Sequence, residues 1–364
     1  MATAINKKKL ANKKSTPKAL AMSALAGLPA ACNNDNDNAA VQTTTLSGAV
    51  VKGPLHGALV YADADGDGVQ GPNETGFTTL ADGSYTITSS NAQATIVATT
   101  TADTIDTSSG ETLTGVTLKA PAGATVVTPA TTILEAQPDI EPAQLAVALG
   151  IPTTAANGEA IDLTSFNPYA ADADPDAALA AEKAAQQVMV TIKAVSAAAE
   201  GAGMEVEDAF ELAMTSIADV VAEEAAKIDT SSAQSIAAAE AAIAEGTSTK
   251  VDFSDSTLLN EVSSSVKTLV TQIAADDDSI EIDQDAFEAV LDTAVTAVEN
   301  VNSAIEAITD TDLTSSASKG VFATLTDVAT QIKDAAEAEV AAPGSGAALV
   351  TLTDAAAVTE AADS

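Results

Sequence analysis

Acidic residues recur at regular intervals in one short segment of the chain, residues 63–74. Aspartates stand at positions 1, 3 and 5 of this segment, a glycine at position 6 and a glutamate at position 12: Asp63, Asp65, Asp67, Gly68 and Glu74. Carboxylates at alternate residues can converge on one hard cation, a glycine permits a sharp turn, and a glutamate can close the shell with both of its oxygens. The spacing therefore predicts a calcium-binding loop.

The rest of the ligand shell would come from the backbone and from water. Val69 stands at position 7, where such loops use the backbone carbonyl, and Gly71 at position 9 has no side-chain ligand to offer. A site of this type outside the cell binds weakly, with a Kd of about 10⁻⁴ to 10⁻³ M. The alternative interpretation is an acidic surface turn that binds no ion specifically.

The residues around the loop do not predict the two helices of an EF-hand. Ala58-Leu59-Val60-Tyr61 before the loop reads as a strand, and Thr75-Gly76 after it would stop a helix. We therefore expect a calcium loop that connects two β-strands.

Residues 45–127 have the composition of short strands, rich in Val, Thr and Ile and separated by Gly, Pro, Asp and Ser. The predicted strands are Leu46–Val51, Ala58–Ala62, Phe77–Leu80, Ser84–Thr88, Ala94–Thr99, Leu113–Lys119 and Thr125–Val127. Asp82-Gly83 predicts a tight hairpin between the third and fourth of these, because a primed turn needs positive φ. The pattern favours a small antiparallel β-sandwich.

Helical periodicity begins after Thr128-Pro129, a good N-cap followed by a good first helical residue. The predicted helices are Pro142–Leu149, Asp176–Glu200, Glu207–Lys227, Ala233–Ala244, Ser256–Ala275, Gln284–Ile308 and Val321–Val340. They predict an alanine-rich all-α bundle over residues 128–342, followed by a loose tail over 343–364. The fold class is thus α+β, with the sheet and helical parts segregated along the chain.

A weak internal repeat runs through the helical part. The segments Val188–Glu211 and Val266–Glu288 each contain the end of one helix, a turn, and a second helix that opens with Asp-Ala-Phe-Glu. Two such hairpins could pack into one antiparallel bundle. Chance similarity between acidic, alanine-rich helices is the alternative explanation.

The charge of the chain excludes one class of partner. Its formal net charge is −37, from 52 acidic and 15 basic residues, and every basic residue is a lysine. Such a surface repels nucleic acid and anionic lipid, and it lacks the arginine fork that grips phosphate. We therefore expect no nucleic-acid partner.

The first 32 residues read as an export signal. A lysine-rich stretch precedes an apolar run from Ala19 to Ala31, too short for a permanent membrane span, and Cys32 follows as the sole cysteine. This arrangement resembles a lipoprotein signal with Cys32 as the lipidated residue, followed by a polar linker over residues 33–44. It predicts an exported protein held at the outer membrane or cell surface by a lipid anchor. Ordinary secretion with cleavage near Ala31, and a chance buried cysteine, are the alternatives.

Few residues are suited to catalysis. His56 is the sole histidine, which leaves no second imidazole for a zinc site and makes a surface position its expected role. A histidine-based triad would depend on that one residue. A serine–lysine pair, or paired acids such as Asp276-Asp277-Asp278, stay open by counting alone, although acids in so acidic a chain are usually solvated turn residues. We predict that the protein is not an enzyme.

Four segments around the acidic loop together carry a family resemblance: Ser47–Val51, Gly57–Gln70, Asn73–Glu74 and Thr78–Tyr85. They resemble the B-type repeats of bacterial surface adhesins and are similar to carboxypeptidase-regulatory-like β-sandwiches. The segment Leu118–Thr132 is similar to the join between such a module and a helical region. The resemblance implies a rigid, calcium-stiffened module without catalysis.

The predicted role is accordingly structural or adhesive at the bacterial surface. A carbohydrate- or peptide-binding surface module is the alternative. The predicted partners are the membrane, through the lipid anchor, and a surface glycan or protein.

Overall fold

The computed structural model describes residues 43–201, 203–247, 250–276 and 284–313, with the single residues 315, 331, 334 and 338. The predicted signal segment with Cys32, nearly all of the linker, most of the predicted helix Val321–Val340 and the tail over 343–364 lie outside the described residues.

The described chain begins with strands and continues with helices, which confirms the α+β class. The strands are β1 (Thr44–Val50), β2 (Leu55–His56), β3 (Leu59–Asp63), β4 (Phe77–Thr78), β5 (Ser84–Ser89), β6 (Thr95–Thr99), β7 (Ile105–Asp106), β8 (Thr117–Ala120) and β9 (Val126–Val127). The helices are α1 (Pro129–Ala136), α2 (Pro142–Ala148), α3 (Pro175–Gly201), α4 (Val206–Ala225), α5 (Ala233–Ala244), α6 (Ser256–Asp276) and α7 (Gln284–Glu306).

The strands form a sandwich-like pair of sheets and a short ribbon. One sheet has the order β5-β1-β9, the other has the order β4-β3-β6-β8, and β2 pairs with β7. Residues alternate along β5, so that Tyr85 and Ile87 are buried while Thr86 and Thr88 are exposed. This alternation is what a strand with one face on a core requires.

Three features of the β region differ from the sequence prediction. β1 and β9 run parallel, with Ala49 opposite Val126, so the region is not purely antiparallel. The ribbon strands β2 and β7 were not predicted, because two residues are too few to show a periodicity. The predicted hairpin between β4 and β5 is wrong, since β4 pairs with β3 and β5 pairs with β1.

The turn predicted at Asp82-Gly83 does form, but it connects the two sheets. The Gly83 amide donates to the Leu80 carbonyl at 2.9 Å, and Gly83 has a φ of 75°. A Cβ at Gly83 would lie 2.5 Å from the Val50 carbonyl oxygen, so the turn packs directly against the end of β1. That close approach directs β5 toward β1 rather than back along β4.

Helix α1 closes the edge of the four-stranded sheet. It begins at Pro129 with Thr128 as its N-cap, as the sequence predicted. The Lys119 amide of β8 donates to the Thr132 hydroxyl at 2.9 Å, and the Thr131 hydroxyl donates to the Lys119 carbonyl at 3.0 Å. Side chains of the helix thereby satisfy backbone groups that an edge strand would otherwise leave unpaired.

Four long helices pack in a ring in which α3 neighbours α4 and α7, and α6 neighbours the same two helices. The two hairpins of the sequence repeat are therefore paired in space, and their equivalent residues Phe210 and Phe287 are both buried. Helix α5 lies outside this ring, where it contacts α2 and has no buried residue. Within the described residues, no helix combines the length and the apolar character that a membrane span needs.

A buried polar cluster joins the sheets to helix α3. The Lys52 ammonium lies 2.7 Å from the Asp106 carboxylate, and both side chains are almost fully buried. The Gly53 amide donates to Glu182 of α3 at 3.3 Å, and the Gln186 amide donates to the same carboxylate at 2.6 Å. Complete burial, with the nearby negative charge of Asp106, raises the pKa of Glu182.

The substitution Glu182→Gln should change how stability depends on pH. A raised pKa means that the folded protein binds this proton more tightly than the unfolded chain does. The stability that Glu182 contributes is therefore lost as the pH rises above the ordinary pKa of 4.5. The melting temperature of the variant, relative to wild type, should therefore increase between about pH 4 and about pH 8. Thermal denaturation followed by circular dichroism measures this difference.

Glu245→Gln provides the control, because Glu245 lies exposed at the end of α5. Its pH profile should run parallel to that of the wild type. If the melting-temperature difference between Glu182→Gln and wild type also stayed constant with pH, the buried carboxylate would not control the pH dependence of stability.

Candidate metal centre

The acidic loop connects β3 to β4, as the sequence predicted, and three of its carboxylates converge. Oxygen atoms of Asp63, Asp65 and Asp67 all lie within 4.8 Å of one another. Asp63 is the last residue of β3 and is buried, whereas Asp65 and Asp67 are exposed. One candidate ligand is therefore fixed by the sheet, and the other two lie on the solvent side.

Backbone amides of the loop fold it around Asp63. The two oxygens of Asp63 accept hydrogen bonds from the Gly66 amide at 2.7 Å and the Gly68 amide at 2.9 Å. Gly66 and Gly68 have φ values of 76° and 77°, a region that residues with a Cβ rarely adopt. The sequence signal at position 6 therefore reflects a turn that only glycine forms without strain.

Glu74 lies outside the cluster of three carboxylates and ties the loop together. Its two oxygens accept from the Ala64 amide at 2.7 Å and from the Gly71 amide at 2.8 Å. The side chain thus bonds one residue near each end of the loop. Its role as a metal ligand stays a prediction, as does that of the Val69 carbonyl.

Tyr61 connects the loop to the sheet. Its hydroxyl donates to the Gly68 carbonyl at 2.9 Å. Burial, and then the negative charges of Asp63, Glu74 and Asp67, raise the pKa of Tyr61 to about 12. The tyrosine therefore remains a neutral hydrogen-bond donor over the whole physiological range.

The carboxylates also act on one another. The Asp67 amide lowers the pKa of the Asp65 carboxyl, but slight desolvation and the charges of Asp67, Glu74 and Asp63 together raise it above its ordinary value. A bound cation would reverse the effect of those neighbouring charges.

The donor set fits a hard cation. Asp63, Asp65 and Asp67 offer carboxylate oxygens, which are the ligands that calcium prefers, while zinc prefers nitrogen and sulfur. His56 lies exposed on β2, as predicted, and it is not part of the cluster. The arrangement can hold a divalent ion.

Sequence reasoning missed the buried cluster of Lys52, Asp106 and Glu182. A signal for it was present, because Lys52 interrupts an apolar strand end and is followed by Gly53-Pro54. Its partners lie far along the chain, however, and nothing in their local sequence marks them as buried.

Comparison of the chain with protein-family models, with curated proteins and with solved structures finds no match. The resemblance to surface-adhesin repeats therefore stays a prediction. What the protein does has to be argued from the loop and its surroundings.

Replacement of Glu74 by alanine should loosen the loop even without metal. The variant loses the acceptor for two backbone amides, and bonds to a charged group contribute about 1.5–3 kcal/mol each when shielded, less when partly exposed as here. We expect faster hydrogen exchange of the loop peptide in the presence of a chelator, measured by mass spectrometry.

Asp65→Ala is the matched control, because the carboxylate of Asp65 accepts a single long bond of 3.4 Å from the Asp67 amide. This variant should exchange like wild type in chelator. Equal exchange in all three proteins would contradict the role of Glu74 as a loop tie.

Proposed function

We propose that this chain is an exported bacterial surface protein with a structural or adhesive role, in which calcium stiffens the β region. The observation that carries the proposal is the convergence of Asp63, Asp65 and Asp67 within 4.8 Å on a loop already bonded to itself and to the sheet. Preorganised oxygen ligands of this kind suit calcium.

The position of the loop explains how an ion would affect the sheet. The loop begins at the end of β3, and β3 is an interior strand with β4 on one side and β6 on the other. Tyr61 of the same strand bonds the middle of the loop. An ion that fixes the loop would therefore restrain the strand that organises the four-stranded sheet.

Electrostatics support the same proposal. The loop gathers four carboxylates in a chain whose net charge is already −37. Like charges at short distance destabilise a folded loop, and a divalent ion would remove most of this repulsion. Weak affinity is sufficient for such a role outside the cell, where modules of this type work at about 10⁻⁴ to 10⁻³ M.

Attachment through Cys32 completes the proposal. An acyl chain contributes about 0.8 kcal/mol for each buried CH₂, so a multiply acylated cysteine would hold the protein at a membrane. The polar linker over residues 33–44 would then separate the sheet region from the lipid. Secretion without an anchor is the alternative form of the same proposal.

Calcium should raise the melting temperature of the purified protein. With the affinity given above, about 10 mM calcium would stabilise the folded state by about 1–3 kcal/mol. Asp65→Ala should abolish this shift, because it removes a ligand and almost no internal bonding. Differential scanning calorimetry in chelator and in calcium measures both.

Asp162→Ala is the control for nonspecific charge screening. Asp162 is also exposed and also accepts a hydrogen bond from the backbone two residues on, but it lies outside the loop. Its calcium shift should equal that of wild type. A melting curve of the wild type that calcium leaves unchanged would remove the proposed stiffening.

The mature protein, recovered from bacterial membranes, should begin at an acylated Cys32. Intact mass spectrometry would show the added lipid, and Cys32→Ser should release the protein into the soluble fraction. A mature wild-type chain with a free, unmodified N-terminus would contradict the anchor and leave secretion.

A further inference from the structure

A cleft of ≈ 450 Å³ opens between the turns of the β region and the segment that precedes α3. Its polar lining consists of Asp82, Ser84, Thr107, Ser108, Asn167 and Tyr169. The volume lies in the range of small-molecule sites. None of these residues belongs to the acidic loop, so the cleft is a site separate from it.

Two of the lining hydroxyls already donate their protons to acceptors within the protein. Ser108 donates to the Asp106 carboxylate at 2.5 Å, and Thr107 donates to the Pro54 carbonyl at 2.9 Å. A hydroxyl has a single proton and two lone pairs. Each of these oxygens can therefore only accept a hydrogen bond from a ligand.

Asp82 adds a further acceptor at the exposed rim. One of its oxygens accepts from the Ser84 amide at 3.0 Å. Hydrogen bonds from Ser84 lower the pKa of Asp82, so it is an anion at neutral pH. Among the described residues, the lining includes no lysine that would neutralise an anionic ligand.

Donors are fewer. The hydroxyl of Tyr169 is fully buried beside Ser108 and Glu182, so a ligand in the cleft would meet other atoms of this residue and not its hydroxyl. Burial, and the negative charges of Glu182 and Asp106, raise the pKa of Tyr169, so the group keeps its proton. The carbonyl of Asn167 accepts from the Tyr169 amide at 2.9 Å, which leaves its amide nitrogen as a donor.

We propose that this cleft binds a neutral polyhydroxylated molecule, such as a monosaccharide or a sugar alcohol. Such a ligand offers many hydroxyl protons to the acceptors at Asp82, Thr107 and Ser108, and it can accept from Asn167. Anions are disfavoured by the net charge of −37. A cation would meet a single exposed carboxylate and would lose its own hydration on entering the cleft.

The test is saturation-transfer NMR on the whole chain with D-glucose, D-galactose, D-mannose, N-acetyl-D-glucosamine and D-sorbitol, each at millimolar concentration. Ethanolamine and D-glucuronate serve as cationic and anionic probes. At least one neutral probe should receive saturation, and the charged probes should not. No transfer to any neutral probe, or a stronger response from ethanolamine, overturns the proposal.

Asn167→Asp locates the binding. It should weaken binding of the responding probe about tenfold, the cost of one lost hydrogen bond. Unchanged binding in this variant would place the probe outside the cleft and would overturn the proposal.

Asn91→Asp is the matched control for Asn167→Asp. Asn91 also uses its carbonyl to accept a backbone amide two residues on, from Gln93 at 2.9 Å, and it does not line the cleft. It should bind the probe as wild type does. Equal weakening by both substitutions would mean that added negative charge, and not the cleft, controls the binding.

Discussion

Alanine buries little apolar surface, and this limits how the chain can build a core. Each side chain removed from water contributes in proportion to its area, about 25 cal/mol for each Å². The sandwich and the helices respond by sharing one core, because a continuous set of buried apolar residues runs from Val50 in the first strand to Ile305 in the last described helix. Several of its large side chains, among them Leu118, Phe253 and Phe287, lie fully buried within it. The segregation seen along the sequence is therefore a segregation of secondary structure and not of cores.

The junction between the two parts also contains charges. Lys52 and Asp106 form a buried pair behind the sheets, and Glu182 meets the Gly53 backbone from the helical side. Buried pairs of this kind often contribute little net stability, because desolvation offsets their attraction. Their geometry is demanding, however, since each group left without its partner would be costly. The cluster therefore defines how α3 lies against the turn after β1 more strictly than apolar contacts alone would.

Much of the fold could be predicted because its signals are local. The N-cap at Thr128, the helix Ala233–Ala244 and the position of the acidic loop between two strands all follow from neighbouring residues. The wrong hairpin at Asp82-Gly83 shows the limit, because the turn was local but the choice of partner strand depended on contact with Val50. The buried cluster and the polar cleft depend in the same way on residues far apart in the chain. Their chemistry became visible only when the fold brought them together.

Within the candidate site, the sequence could predict which residues gather but not what each one does. The spacing placed Asp63, Asp65 and Asp67 together, and the structure brings their oxygens within 4.8 Å. The spacing did not predict that Glu74 would accept hydrogen bonds from two amides of its own loop, or that the Tyr61 hydroxyl would donate to the Gly68 carbonyl. These contacts depend on how the loop closes in three dimensions.

The threonine pair at the start of α1 has a consequence for how copies of this protein meet. Sheets at high density can join when an exposed edge strand pairs with the backbone of another molecule. Here a chain that approached β8 would find the amide and the carbonyl of Lys119 already occupied by Thr132 and Thr131. At the opposite rim, β4 extends over only two residues, from Phe77 to Thr78. Even in a densely packed layer, these molecules would therefore rarely pair edge to edge through this sheet. Fibre formation by that route would be suppressed.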